Sequence, residues 1–193
     1  TWNQDPVDAL TMLMMDQYNK TTAVLYNTAQ LYRHDRYQFL CDCYEAAEQR
    51  NFILGIKIVR GAYMEKERER AVKLGYPSPI QPDKASSDKD YNEALRFCIN
   101  HIDKISVCAG SHNEQSSMLL TQLMAEKGLS NNDQRVYFSQ LYGMSDHISF
   151  NLSSAGYNVA KYLPYGPVKA VMPYLFRRAA ENTSVKGQAG REL

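Results

Sequence analysis

The 193 residues carry 22 Lys+Arg against 21 Asp+Glu, a net charge of +1 that offers no surplus for nucleic acid or an anionic membrane surface. A mean hydropathy of −0.49, with no apolar run near the ~20 residues a bilayer needs, excludes a spanning helix. An apolar share of 44% and a charged share of 22% describe one globular domain.

In chain order, 3–4 spacing of apolar residues predicts a helix over 9–18, followed by an apolar, β-branched strand at 23–31. A helix at 35–49 and a strand at 55–63 come next. The Glu/Lys/Arg run at 65–71 reads as an ordinary solvated helix surface. Residues 75–83 hold three prolines, Pro77, Pro79 and Pro82, and must be loop, the one long irregular connection and so of a kind that often serves function. A helix at 91–103, a strand at 104–110, a helix at 114–128, strands at 135–142 and 158–164 with a helical segment between them, and a helix at 168–181 complete the pattern. Ser111 and Glu114 have the spacing of a capping box, and Gly128 is placed to end its helix.

The strands are apolar on consecutive positions, as with Ile56, Ile58 and Val59, which predicts parallel strands covered on both faces. Alternation of helix and strand implies right-handed crossovers in an α/β fold. Five strands leave two architectures open: an open doubly wound sheet, or a β/α barrel, whose closure needs eight strands and roughly 250 residues. Cys41, Cys43, Cys98 and Cys108 form no C-x-x-C pair and no zinc spacing with histidine, so they read as reduced, mostly buried thiols, and no metal site is expected. Residues 1–8 lack the charged-then-apolar profile of a secretory signal.

Ligand groups in parallel α/β folds sit at the C-terminal ends of strands. Those positions hold Gln30 and Tyr32; Arg60, Gly61, Ala62 and Tyr63; Ser111, His112 and Asn113; Gln140 and Leu141; and Tyr162. The set contains amides, phenols, an imidazole and a guanidinium but no carboxylate pair and no nucleophile–base dyad, which argues against hydrolysis. It suits a bulky, partly anionic cofactor that performs the chemistry while the protein orients it. Arg60-Gly61-Ala62 is equally a plain strand-to-helix turn, and His112 equally a first-turn residue. Tyr174, Arg177, Arg178 and Glu181 share a helix face. They form either a solvated charged surface or, with Tyr162, an aromatic-walled clamp for a carboxylate. Pro173, just before them, is expected to kink or restart the helix.

The stretches KIVRGAY at 57–63, SHN at 111–113, FSQLYGM at 138–144, YLPYG at 162–166 and YLFRRAAE at 174–181 together resemble proline dehydrogenase, in its stand-alone form, in order and in spacing. The resemblance covers the chain from about residue 23 onward. It implies a distorted (β/α)8 TIM-type barrel, of which the five strands are the fourth to eighth. The chain is then a single catalytic domain, incomplete at its N-terminal side. It implies FAD, bound through Gln30, Lys57, Val59, Arg60, Gly61, Ala62, Lys84, Ser111, His112, Asn113 and Gln140. Tyr63, Leu141, Tyr162 and Tyr174 would line a proline pocket; Arg177 and Arg178 would pair with the substrate carboxylate and Glu181 would hold them. Lys57, Tyr63, Tyr162, Arg177 and Arg178 are the residues closest to the reaction, hydride transfer from proline C5 to flavin N5 giving Δ1-pyrroline-5-carboxylate. Tyr162 would crowd ring C4 and favour proline over hydroxyproline. A quinone-type acceptor, hand-over to a pyrroline-carboxylate dehydrogenase, and a cytoplasmic or mitochondrial-matrix location peripheral to the inner membrane follow from the same likeness. The alternatives are an inactive part of such a barrel, or a different barrel enzyme acting on a phosphate substrate.

Overall fold

The computed structural model describes residues 4–184, with side chains as far as Ala179. The elements run α1 (Gln4–Tyr18), β1 (Asn27–Gln30), α2 (Arg36–Arg50), β2 (Leu54–Val59), α3 (Met64–Leu74), α4 (Lys84–Asn100), β3 (Ile105–Gly110), α5 (Glu114–Glu126), β4 (Val136–Leu141), α6 (Asp146–Ser154), β5 (Val159–Tyr162) and α7 (Val168–Ser184). The strands form one parallel sheet in the order β1-β2-β3-β4-β5. A doubly wound sheet reverses its strand order at a switch point, whereas a barrel winds in one sense throughout. The unbroken order here decides for the barrel type.

The two faces of the sheet differ, contrary to the expectation of apolar cover on both. Leu54, Ile56, Ile58, Ile105, Val107, Val136 and Phe138 alternate onto one face and are buried with Leu40, Ala47, Leu95, Cys98, Leu120 and Leu123 of α2, α4 and α5. Each fully buried Leu or Ile contributes roughly 1.5–3 kcal/mol relative to exposure. The opposite parity brings Thr28, Lys57, Cys108 and Tyr137 into one line across four strands. Ser106 stands on the same face, 2.6 Å from the Tyr26 hydroxyl.

Several boundaries move for identifiable reasons. The segment before β1 stays out of the ladder because buried Asn19 claims its backbone: Nδ2 donates to the carbonyls of Leu25 and Ile53, and Oδ1 accepts from the N–H groups of Val24 and Leu25. Two helices, α3 and α4, stand between β2 and β3. Asp83 caps α4 by accepting from the Ser86 N–H at 2.7 Å, so this helix begins at Lys84 rather than residue 91, through polar turns that carry no apolar stripe. The charged run forms α3, yet Glu67 within it is buried at 1% exposure, so that helix is not uniformly solvated. The cap of α5 is Asn113, accepting from the Ser116 N–H, and not Ser111, whose hydroxyl already accepts from Arg60 and from the Asn113 N–H. Gly128 follows α5 with φ +70, as its placement predicts. The chain stays helical through Pro173. The four cysteines are free thiols; Cys43 and Cys98 are buried, Cys41 and Cys108 half-buried.

Candidate active site

The C-terminal ends of the strands carry the predicted residues, and most of them are brought together there. The turn after β2 is built around Arg60. Its Nε donates to Asp88 Oδ1 at 2.6 Å, Nη1 to Ser111 Oγ at 2.9 Å and Nη2 to Ser116 Oγ at 2.9 Å, while the Tyr91 ring covers one face at 4.3 Å. Lys84 reaches the other oxygen of Asp88. Burial pulls the Asp88 carboxyl upward, but the hydrogen bonds from Lys84 and Arg60 outweigh it and hold the group below the usual carboxylate range.

Gly61 follows with φ +129, a conformation open to glycine, and its Cα faces the Tyr32 ring so closely that an added Cβ would stand 2.2 Å from Cδ1. Tyr32 is 3% exposed, accepts the Gln81 N–H on its carbonyl and donates its own N–H to the Arg60 carbonyl. The loop at 75–83 is thereby pinned to the site, with Arg33 and Ile80 forming an antiparallel bridge. Burial, reinforced by Glu67, pushes the Tyr32 phenol up to about 12. The Cys43 thiol is likewise raised by burial, from 9.0 to about 12. Both groups stay protonated in the fold while their unfolded counterparts ionise earlier. They cost nothing at neutral pH and destabilise the fold as pH climbs past 9 toward 12. The thermal midpoint is expected to hold steady up to about pH 9 and to fall by about pH 11, a fall that Cys43→Ala reduces.

The ends of β3 and β4 are tied to α6. His112 Nδ1 lies 2.9 Å from the Ser145 hydroxyl. Gln140, 2% exposed, accepts from the Ser149 hydroxyl at 3.0 Å and donates to the Ser111 carbonyl at 3.3 Å, so its amide braces the β3 end. At β1, Gln30 presents a buried Oε1 with no hydrogen-bond partner among the described residues. Lys57 and Val59 lie half-buried on β2, and Leu141 half-buried at the end of β4.

The α7 face packs against the end of β5 and the turn after β2. Tyr162 and Tyr174 pack edge to face with centroids 5.5 Å apart, Arg178 lies 5.1 Å from the Tyr174 ring, and Arg177 lies 5.9 Å from the Tyr63 ring. Arg177 Nε is buried with no hydrogen-bond partner among the described residues. Three separate segments, the turn after β2, the end of β5 and α7, therefore meet around two guanidiniums. Glu181 belongs to α7, but its side chain lies outside the described residues. Asp88, Tyr91, Ser116, Ser145 and Ser149 support this site without having been singled out by sequence; the Asp83 cap, which starts α4 at Lys84 and so sets Lys84 and Asp88 one turn apart, is the signal that could have found the first.

A parallel sheet wound in one sense, with amide, phenol and guanidinium groups gathered at its C-terminal edge, defines a TIM-barrel type α/β fold. The family model for proline dehydrogenase matches residues 1–191, and the chain belongs to that family. It is 40% identical to proline dehydrogenase 1, mitochondrial, of Drosophila melanogaster over 100% of this chain and 30% of that protein. It is 39% identical to hydroxyproline dehydrogenase of Xenopus laevis over 96% of this chain and 41% of that protein. Proline utilization A from Bdellovibrio bacteriovorus, in a crystal structure of the form inactivated by N-propargylglycine, superposes with a TM-score of 0.85 at 26% identity, over 94% of this chain and 19% of that one. The chain thus spans about a third of the length of the mitochondrial relatives it matches. No helix of the described residues is long and apolar enough to cross a membrane.

Proposed function

We propose that the protein containing this chain oxidises L-proline to Δ1-pyrroline-5-carboxylate with FAD as cofactor. The observation that carries the reading is the meeting of Tyr63, Tyr162, Tyr174, Arg177 and Arg178 from three segments into one aromatic, doubly cationic cluster. A small ring bearing a carboxylate matches it: guanidinium forks take the carboxylate and the phenol rings hold the apolar methylenes.

The strand ends also fit a flavin dinucleotide. Gln30 offers a buried carbonyl oxygen without a partner, Gly61 keeps the backbone of its turn open, and Arg60 with Lys84 supplies charge for a diphosphate. Ser111, His112, Asn113, Ala62, Val59 and Lys57 line the same edge, while Gln140 holds the Ser111 carbonyl in place. Bound there, FAD supplies the acceptor for the hydride of proline C5. The chain's own part is positioning: Arg177 and Arg178 fix the carboxylate, Tyr63, Tyr162 and Tyr174 confine the ring, and Lys57 places positive charge beside the cofactor. Such orientation lowers a barrier by as much as roughly 7–11 kcal/mol in the best cases. A quinone-type acceptor, passage of the product to a pyrroline-carboxylate dehydrogenase, and a reducing compartment, the mitochondrial matrix or cytoplasm at a membrane surface, complete the reading.

The purified full-length protein is expected to carry a flavin absorbance band that bleaches anaerobically on addition of L-proline, and more slowly with trans-4-hydroxy-L-proline, because Tyr162 packed on Tyr174 crowds ring C4. A protein without flavin, or a flavin that proline leaves oxidised, overturns the reading and returns the site to an anion-binding barrel of another kind.

A further inference from the structure

Arg60 is held more firmly than cofactor contact alone requires. Three of its five N–H groups are committed, to Asp88, Ser111 and Ser116, and the Tyr91 ring covers one face, which leaves one N–H on each terminal nitrogen. The side chain retains 21% exposure. Asp88 is the charged member of this cradle, and it also holds Lys84, which is 77% exposed and paired with it one helical turn away. An exposed pair of that kind is weak and readily exchanged, whereas the half-buried Arg60 pair is not.

We propose that Asp88 is a positioning residue for the cofactor's diphosphate: it aims Arg60 at that group and keeps Lys84 beside it as a second, exchangeable cation. The inference rests on the flavin reading above. Asp88 acts in two opposed ways. Its oxygen orients the Arg60 Nε, which favours anion binding; its negative charge offsets one of the two cations, which opposes it. Asparagine separates these roles. It retains an oxygen for Arg60 Nε while turning an amide N–H2 toward Lys84, which releases the ammonium to the ligand.

The test measures FAD affinity of the full-length protein by quenching of flavin fluorescence, with the thermal midpoint of the flavin-free protein alongside. Asp88→Ala is expected to weaken FAD binding about tenfold or more, the scale of a lost charge-assisted hydrogen bond. Asp88→Asn is expected to bind FAD as tightly as the wild type or more tightly. Three results overturn the proposal: alanine leaves affinity unchanged, both variants weaken it by one factor in step with a lowered midpoint, or both tighten it. If Asp88→Ala does not fold, Ser116→Ala, which removes the acceptor of Nη2 and leaves the capped backbone N–H, is expected to weaken FAD about threefold. Unchanged affinity in that variant overturns the proposal. A wild-type protein that takes up no FAD is a separate outcome and removes the flavin reading itself.

Discussion

Arg177→Ala or Arg178→Ala is expected to raise the KM for proline by about 10- to 150-fold while kcat changes little. In the proposed site each arginine offers charge-assisted hydrogen bonds to the substrate carboxylate, and a bond of that kind contributes about 1.5–3 kcal/mol. The carboxylate keeps its charge from bound substrate to transition state, so the loss falls on both equally and appears in KM. Lysine at either position restores the charge but not the planar fork, so it is expected to recover only part of the affinity. Steady-state kinetics on flavin-loaded variants, with proline affinity measured directly, checks this. A flavin-loaded alanine variant that binds proline like the wild type removes the arginine clamp from the mechanism.

The shared helix face behind that proposal was legible in sequence because its parts are local. Tyr174, Arg177 and Arg178 sit one turn apart on a single helix, and helical periodicity alone places them together. Tyr162 and Tyr63 were legible as strand-end residues. The sheet was legible in the same way, since β-branched runs separated by helical spacing specify parallel strands whatever their neighbours do. What escaped notice depends on distant pairing. Asp88 and Ser116 meet Arg60 from 28 and 56 residues away, and no local pattern marks them as its partners. Glu67 looks like any other carboxylate in a run of Glu, Lys and Arg. Only the docking of α3 buries it, and its carboxylate then reinforces the raised pKa of the Tyr32 phenol. The cap of α5 was misassigned for a related reason: Ser111 fits a capping box, but its hydroxyl is claimed by Arg60, and Asn113 takes the role. Local chemistry proposes such contacts, and tertiary competition chooses among them.

Gly61→Ala is the second change expected to have a large effect, and it acts through the fold as well as the site. At φ +129 an alanine is strained wherever it stands, and here its methyl would also lie 2.2 Å from Cδ1 and 2.3 Å from Cε1 of Tyr32. That ring cannot simply swing aside. It is 3% exposed, and its backbone is tied to the Arg60 carbonyl and the Gln81 N–H. Strain and overpacking together are expected to cost about 2–4 kcal/mol, which lowers the thermal midpoint by roughly 4–16 °C for a domain of this size. The site should suffer more than the fold, because the backbone that yields is the turn between Arg60, proposed above to meet the diphosphate, and Tyr63, whose ring lies 5.9 Å from Arg177. FAD and proline affinities are therefore both expected to fall, even at temperatures where the variant remains folded. Tyr32→Leu, which removes much of the ring against the turn, is expected to restore part of the lost midpoint in the double variant but not the part due to φ. A Gly61→Ala protein with wild-type midpoint and wild-type affinities would mean that the turn relaxes freely, and that its rigidity has no part in holding the two halves of the site in register.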